Sequence, residues 1–223
     1  MNTRLNVITL DGPAGVGKST LARLLAERLS IACLDTGAMF RCLALRLGPG
    51  TEKLPEKDIR RRCAEVRFSL DGRGKATKLY CDGTPVGEEI RNENVGLLAA
   101  RIAVIPAVRE LLKKAQRDIG KAAPLVAEGR DMGIAVFPDA RFKFFLDAAP
   151  EIRAKRRLAD LEQRGETVNL SALTEQIRNR DHMDRSRALA PLRPAADALL
   201  VDTSRMDIDE TLNLMLRHIR EQR

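Results

Sequence analysis

The chain has 223 residues, of which 44% are hydrophobic and 31% charged, a composition that predicts one soluble globular domain and excludes a disordered chain. Its 39 Lys and Arg residues, 29 of them Arg, outnumber the 31 Asp and Glu residues and indicate anionic partners. One Tyr, six Phe and no Trp are too few for the base-stacking surfaces that bind single-stranded nucleic acid, so a small polyanionic substrate fits equally well.

The sequence indicates no membrane-spanning segment, no disulfide framework and no zinc site. No apolar run approaches the roughly 20 residues that a span needs, and the apolar stretch before Asp11 is too short for a secretory signal. We therefore expect a cytoplasmic protein. The cysteines form no CxxC pair and only two histidines are present, so we expect four buried, reduced thiols: Cys33, Cys42, Cys63 and Cys81.

The first half of the chain begins as strand, loop and helix, with a strand over residues 5–10 and a helix over 19–29. A short strand over 32–34 follows, then a helix from a cap at Asp35 or Thr36 to Leu47. After a loop over 48–55, apolar residues recur at every second position, as in a strand. Turns at 71–74 and 82–85 lie on either side of an antiparallel strand over 77–81. This pattern predicts a small antiparallel sheet inserted into an α/β fold.

The second half alternates helices and strands. A helix over residues 89–118, interrupted near Pro106, precedes a short apolar strand over 124–127 and another over 142–146. Charged helices over 151–164 and 170–185, a strand over 198–201 and a helix over 208–220 complete the chain. Such alternation predicts an α/β fold with a parallel central sheet covered on both faces.

Residues 12–19, GPAGVGKS, match the phosphate-binding loop G-x-x-x-x-G-K-[ST] (the P-loop) at every fixed position, between a predicted strand and a predicted helix. Its glycines let backbone N–H groups turn toward a phosphate, and the helix N-terminus adds positive potential. Lys18 is expected to reach the β- and γ-phosphates, and the Ser19 hydroxyl to bind Mg²⁺. The chain is therefore predicted to bind a nucleoside triphosphate.

A second Mg²⁺ ligand is expected at the end of a neighbouring strand, where ligands of α/β sheets collect. Glu128 and Asp147 both end apolar strands. Glu128 is favoured because Arg130 and Asp131 share its strand end, although it could instead pair with a neighbouring arginine.

The acceptor of the phosphoryl group is not specified by the P-loop alone. The N-K-x-D base reader of GTPases is absent from the sequence. An arginine-rich group remains: Asp35-Thr36-Gly37 with Arg41, Arg130 with Asp131, and Arg180, Asp184 and Arg187 at i, i+4 and i+7. Such a group suits transfer between two anionic substrates, but residues 151–187 could also be a solvated helix surface.

Long stretches resemble the bacterial cytidylate kinases. The most specific are AEGRDMGIAVFPDA at 127–140 and RDHMDRSRALAPLRPAADALLVDTS at 180–204. The others are ITLDGPAGVGKST at 8–20, LDTGAMFR at 34–41, GEEIR at 87–91, P-x-VRELL at 106–112 and KFFLDA at 143–148.

The resemblance implies a single P-loop kinase domain that transfers the ATP γ-phosphoryl group to CMP and dCMP with Mg²⁺. It implies a three-layer sandwich with a core over about 1–35, 122–150 and 188–223, a monophosphate-binding region with the insertion over about 36–121, and a lid over about 151–187. Free nucleotides are the implied partners, without nucleic acid or membrane, and a monomer is expected.

The resemblance also implies roles for individual residues. Catalytic roles fall to Lys18, Arg130, Arg156 and Arg157, and metal binding to Ser19 and Glu128. ATP binding falls to Gly12, Pro13, Ala14, Gly15, Val16, Gly17, Lys18, Ser19 and Thr20. CMP binding falls to Thr36, Arg41, Arg109, Arg130, Asp131, Arg180, Asp184 and Arg187, with Arg109 and Asp131 reading cytosine. Arg153 is placed with Arg156 and Arg157 in the lid.

Two departures from the family pattern bear on substrate choice. Ala100 replaces a base-reading serine, and His182-Met183 replaces an Asp-Arg pair near the sugar site. Two other functions stay open: a kinase for another acceptor, such as UMP or a metabolite alcohol, and a basic P-loop protein that binds RNA and uses ATP as a switch.

Overall fold

A computed structural model describes residues 7–163, 165 and 167–222. Its main sheet has five parallel strands in the order β2-β6-β1-β7-β8. These strands are β1 (Val7–Asp11), β2 (Ala32–Asp35), β6 (Leu125–Gly129), β7 (Phe142–Asp147) and β8 (Leu199–Asp202). The predicted strand at 5–10 and helix at 151–164 are observed, except that residues 5, 6 and 164 lie outside the described part.

Helices cover both faces of this sheet because alternate strand residues are apolar on opposite faces. In β6, Leu125 and Ala127 join one core with α2 (Thr36–Leu47) and α5 (Pro106–Ala122). Val126 joins the other core with α1 (Lys18–Leu29) and α8 (Ile208–Glu221). The predicted three-layer α/β sandwich with a parallel central sheet is thus confirmed.

The predicted insertion is a three-stranded antiparallel sheet, formed by β3 (Phe68–Asp71), β4 (Lys78–Cys81) and β5 (Thr84–Pro85). It is attached to the core at Gly74, whose N–H donates to the Ile31 carbonyl at 2.8 Å. Gly74 has φ +52°, and a Cβ there would lie 2.9 Å from the Glu27 Cα, so glycine permits this close approach.

The helices between the insertion and β6 follow the sequence in part. The break predicted near Pro106 separates α4 (Glu93–Ile102) from α5, with Pro106 in the first turn of α5. The structure adds α3 (Glu56–Ala64), which the sequence pattern did not indicate. It also adds a π-helical turn, Met132–Val136, directly after Asp131.

The two charged helices form a hairpin, α6 (Pro150–Glu162) and α7 (Leu170–Ser186). A small apolar cluster joins them, which includes Ala154, Leu161, Leu173 and Ile177. No helix in the described ranges is long and apolar enough to cross a membrane.

Candidate active site

The P-loop connects β1 to α1 in a conformation that depends on glycine. Gly12 has φ +149°, and a Cβ there would lie 2.2 Å from the Leu146 carbonyl oxygen on β7. Gly15 and Gly17 also have positive φ, and Gly17 directly precedes the first residue of α1. The loop therefore turns at the carboxyl end of the sheet with the helix N-terminus beside it.

Lys18 is buried inside this loop, where its Nζ donates to the Pro13 carbonyl at 2.6 Å. Burial, and then the nearby charge of Arg130, lower the pKa of Lys18 to about 7. A phosphate in the loop would stabilise the charged form of this ammonium group.

Ser19 and Glu128 meet where α1 begins and β6 ends. The Ser19 hydroxyl donates to Glu128 Oε1 at 2.6 Å. Glu128 is only 4% exposed, and burial, followed by the charge of Asp35, raises its pKa to about 7. A hydroxyl and a carboxylate are hard oxygen ligands that suit Mg²⁺ when nucleotide phosphates complete its coordination.

Asp147, the other candidate metal ligand, lies elsewhere. It accepts from Arg185 at 3.1 Å, and its side chain is about half exposed, at 46%. Across the residues described, no group of three His, Cys, Asp or Glu side chains is arranged to hold a metal alone. Glu128, which accepts the Ser19 hydrogen bond, therefore stays the predicted metal ligand.

Arginines converge on Asp184 beside the P-loop. Arg130 Nε donates to Asp184 at 2.9 Å, and Arg187 pairs with the other oxygen of the same carboxylate. Arg180 is also close, since burial and then the charge of Arg130 lower its pKa to about 10. Three cations around one carboxylate leave an excess of positive charge suited to an anion.

Arg41 extends this positive region from α2. Burial lowers the pKa of its guanidinium, the Asp35 carboxylate opposes that shift, and Arg91 and Arg130 contribute as neighbouring cations. Thr36, at the start of α2, donates to the Glu128 carbonyl at 2.7 Å. The acceptor residues predicted on α2, β6 and α7 are thus brought together at one end of the sheet.

Arg109 and Asp131 form an ion pair that joins α5 to the residue two positions beyond the end of β6. Arg109 also donates to the Ala103 carbonyl at 3.3 Å. Burial raises the pKa of Asp131, whereas the charge of Arg109 opposes the shift. The pair presents a guanidinium and a carboxylate side by side, which can bind a ligand with adjacent donors and acceptors.

The three arginines expected in the lid have different environments. Arg153 is 1% exposed and donates to the carbonyls of Ala148 at 2.8 Å and Ala14 at 3.1 Å, while its guanidinium pairs with Asp181. It lies on α6, inside the region expected to form the lid, and it connects the P-loop to α7. Arg156 donates to the Thr203 carbonyl at 2.6 Å, and Arg157 is exposed.

Comparisons with known proteins identify the family of the chain. The sequence model of the cytidylate kinase family matches residues 8–221. The chain belongs to the cytidylate kinase family. A cytidylate kinase from Nitratidesulfovibrio vulgaris (strain DP4) is 59% identical over 218 residues, covering 98% of this chain and 94% of that protein. One from Oleidesulfovibrio alaskensis is 58% identical, covering 91% of this chain and 92% of that protein.

A solved structure shares the fold at low identity. An uncharacterised protein from Eubacterium ventriosum ATCC 27560 superposes with a TM-score of 0.51 at 13% identity, covering 98% of this chain and 99% of that one. This likeness shows the fold alone.

The departures from the family pattern lie outside the arginine group. His182 and Met183 are exposed, Met183 at 56%, whereas Asp181 and Asp184 on the same helix are buried. The exchange at 182–183 therefore faces solvent. Ala100 lies half-buried on α4.

Sequence reasoning missed two residues next to this site. Asp11 is a buried carboxylate that ends β1, and Asp181 is the partner of Arg153. An acidic residue directly before a P-loop was the available signal for Asp11. Nothing local distinguished Asp181 from the other charges of α7.

Proposed function

We propose that this cytidylate kinase family member transfers the γ-phosphoryl group of ATP to CMP and dCMP, giving CDP or dCDP and ADP. The observation that carries the proposal is the position of Arg130. It pairs with Asp184 in the arginine group, and its charge also acts on Lys18 in the P-loop. A donor phosphate on Lys18 and an acceptor phosphate on Arg130 would therefore be neighbours.

Base recognition falls to Arg109 and Asp131. Cytosine presents an amino donor at N4 and acceptors at N3 and O2, so one carboxylate and one guanidinium satisfy it. Uracil reverses the polarity at both N3 and position 4. The buried mismatch costs about 1–3 kcal/mol, and it favours CMP over UMP.

The remaining acceptor residues hold the phosphate and the sugar. Arg41 and Arg130 approach from α2 and β6 and would bind the acceptor phosphate. Arg180 and Asp184 would contact the ribose or deoxyribose, Arg187 would face the same pocket, and Thr36 would also bind CMP. Because the arginines outnumber the carboxylates, binding of a dianionic phosphate offsets their mutual repulsion.

Transfer then depends on position and charge. Residues 12–20 hold the donor phosphates through backbone N–H groups, and the Lys18 ammonium stabilises charge on the transferred group. Ser19 and Glu128 would hold Mg²⁺, which neutralises phosphate charge when bound. The acceptor oxygen attacks in line, and ADP leaves. Arg156 and Arg157 lie on α6 and approach the phosphates when residues 151–187 close as a lid.

We also propose the division of the domain into a core (about 1–35, 122–150 and 188–223), a monophosphate-binding region (about 36–121) and a lid (about 151–187). The protein is proposed to act as a cytoplasmic monomer on free nucleotides.

The test is ADP formation from Mg·ATP with CMP, dCMP, UMP, AMP or GMP, together with a blank that lacks acceptor. Turnover with CMP and dCMP, and little with the others, is the expected result. Turnover led by UMP or by a different acceptor would make the protein another small-molecule kinase. Hydrolysis that no nucleotide stimulates, combined with salt-dependent RNA binding, would favour the ATP-switch function.

A further inference from the structure

The π-helical turn Met132–Val136 begins directly after Asp131, the proposed base-reading carboxylate. A π-helical turn is rare and is frequently found at functional sites. Asp131 itself is the capping residue of this turn, and its carbonyl accepts from the Ala135 N–H at 2.8 Å. The direction of the Asp131 side chain therefore depends on where the turn is fixed.

Asp11 holds the first end of the turn. One carboxylate oxygen accepts from the Met132 N–H at 2.9 Å and the other from the Gly133 N–H at 2.8 Å. Asp11 is 5% exposed, so these two bonds lie away from water, where a carboxylate with N–H partners is strongly held. Asp11 also directly precedes Gly12, so one residue connects the P-loop to the turn.

Arg117 holds the other end of the turn. Its Nε donates to the Val136 carbonyl at 2.8 Å, and a terminal nitrogen donates to the Ala135 carbonyl at 3.2 Å. Arg117 lies on α5, two helical turns beyond Arg109. The same helix thus supplies the guanidinium that pairs with Asp131 and the guanidinium that fixes the turn behind it.

The turn has little room to shift. A Cβ at Gly133 would lie 3.0 Å from Thr9 Oγ1 and 3.2 Å from Lys143 Cδ. Thr9 Oγ1 is buried and has no hydrogen-bond partner within the described part of the chain. The turn therefore contacts Thr9 by close packing and not through a hydrogen bond. The turn is fixed by hydrogen bonds at both ends and packs closely against Thr9 and Lys143, so it keeps Asp131 in one position.

We propose that Asp11 and Arg117 are positioning residues that set the preference for cytosine by fixing the turn and, through it, Asp131 beside Arg109. The proposal rests on the function proposed above, in which Arg109 and Asp131 read the base. Neither residue touches the nucleotide. Loss of either residue lets the Asp131 carboxylate shift, which weakens its contact with N4 of cytosine.

The variants are chosen so that loss of folding and loss of discrimination are separable. Arg117→Met removes both donors at similar length, Arg117→Lys keeps one donor, and Asp11→Asn replaces one acceptor with a donor that faces an N–H. Lys121→Met is the matched control, because it removes a cation of α5 whose side chain is 80% exposed. For each protein, kcat and KM are measured for CMP and UMP, with KM for ATP and the thermal midpoint.

For Arg117→Met and Asp11→Asn we expect KM for CMP to rise about tenfold and the CMP-to-UMP ratio of kcat/KM to fall about tenfold. We expect KM for ATP to stay within about twofold of the wild type in Arg117→Met, Arg117→Lys to be intermediate, and Lys121→Met to match the wild type. Asp11→Asn also removes a negative charge that acts on Lys18, so its KM for ATP is expected to rise as well. If Asp11→Asn does not fold, the Arg117 variants alone test the inference.

An unchanged ratio in Arg117→Met, with only a lower thermal midpoint or a proportional loss toward both acceptors, would overturn the inference and leave the proposed function standing. A wild-type protein that does not prefer CMP to UMP would overturn both.

Discussion

The Ser19 hydroxyl donates a 2.6 Å hydrogen bond to Glu128, a residue 109 positions away in the chain. This bond joins the first turn of α1 to the end of β6, and it places two oxygen ligands beside the P-loop. Burial raises the pKa of Glu128 to about 7, so ionising this carboxylate in the folded protein costs stability.

Glu128→Gln is predicted to raise the free energy of unfolding near neutral pH and to lower activity. The folded-state pKa of Glu128 is raised from 4.5 to about 7, so its contribution to stability is present below pH 4.5 and is lost as the pH rises to about 7. At about 1.4 kcal/mol per pH unit, the wild type should lose about 3 kcal/mol of unfolding free energy relative to the variant across this window. Urea unfolding of both proteins in EDTA at several pH values measures the difference.

The same variant should lose at least about 100-fold in kcat/KM for Mg·ATP, because a ligand for the ion is removed. Asp147→Asn is the control, since Asp147 was the competing metal candidate. A larger loss of activity in Asp147→Asn than in Glu128→Gln would contradict the assignment.

Lys18→Ala is predicted to abolish turnover and leave the protein folded. The ammonium is the only side-chain charge that the P-loop itself brings to the donor phosphates, and a loss of about 1,000-fold or more in kcat is expected. Because burial lowers the pKa of Lys18 to about 7, the buried cation does not stabilise the fold at neutral pH. Steady-state kinetics and circular dichroism check both statements, with Lys114→Ala as control because the Lys114 side chain on α5 is exposed. Near-normal turnover in Lys18→Ala would exclude the proposed role.

Arg109→Ala is predicted to weaken CMP binding and leave ATP binding intact. Truncation removes the donor to N3 and O2 and leaves Asp131 buried without its ion-pair partner, so KM for CMP should rise about 10- to 100-fold. Initial rates at varied CMP and saturating ATP measure the change. An unchanged CMP titration would show that the base lies elsewhere.

Arg153→Met is predicted to destabilise the protein strongly. The substitution leaves Asp181 without its partner in a buried setting, and breaking such a pair costs about 3–5 kcal/mol. Arg178→Met is the matched control, because Arg178 pairs with Glu151 where both side chains are about half exposed, and a much smaller loss is expected. Equal losses of unfolding free energy in the two variants would refute the structural role of Arg153.

Much of the fold follows from local sequence patterns. The P-loop, the alternation of strands and helices, and the break at Pro106 are each encoded within a few residues, and all are observed. Helix α3 is observed but could not be predicted from the local sequence. Its residues EKDIRRRCA bury only Ile59 and Cys63 and show little apolar periodicity. The π-helical turn was also missed, since Asp11 and Arg117, which hold it, are distant in sequence.

The acceptor residues could be proposed from the sequence because charged groups of specific types follow strand ends or share a helix face. Arg153 and Arg156 show the limit of that reasoning. Both lie on a charged helix, but packing against the P-loop and against the segment after β8 decides that their donors bind protein carbonyls. Arg153, Arg156 and Arg157 lie within five residues and look alike in sequence, and only tertiary contacts separate them.

The most direct test of the account is a single-turnover reaction of γ-³²P-labelled ATP with CMP and excess enzyme. Direct transfer predicts that all transferred label appears as the β-phosphate of CDP, without labelled protein and without an early phase of labelled inorganic phosphate. Label on the protein, or inorganic phosphate formed at the same rate with and without CMP, would contradict it.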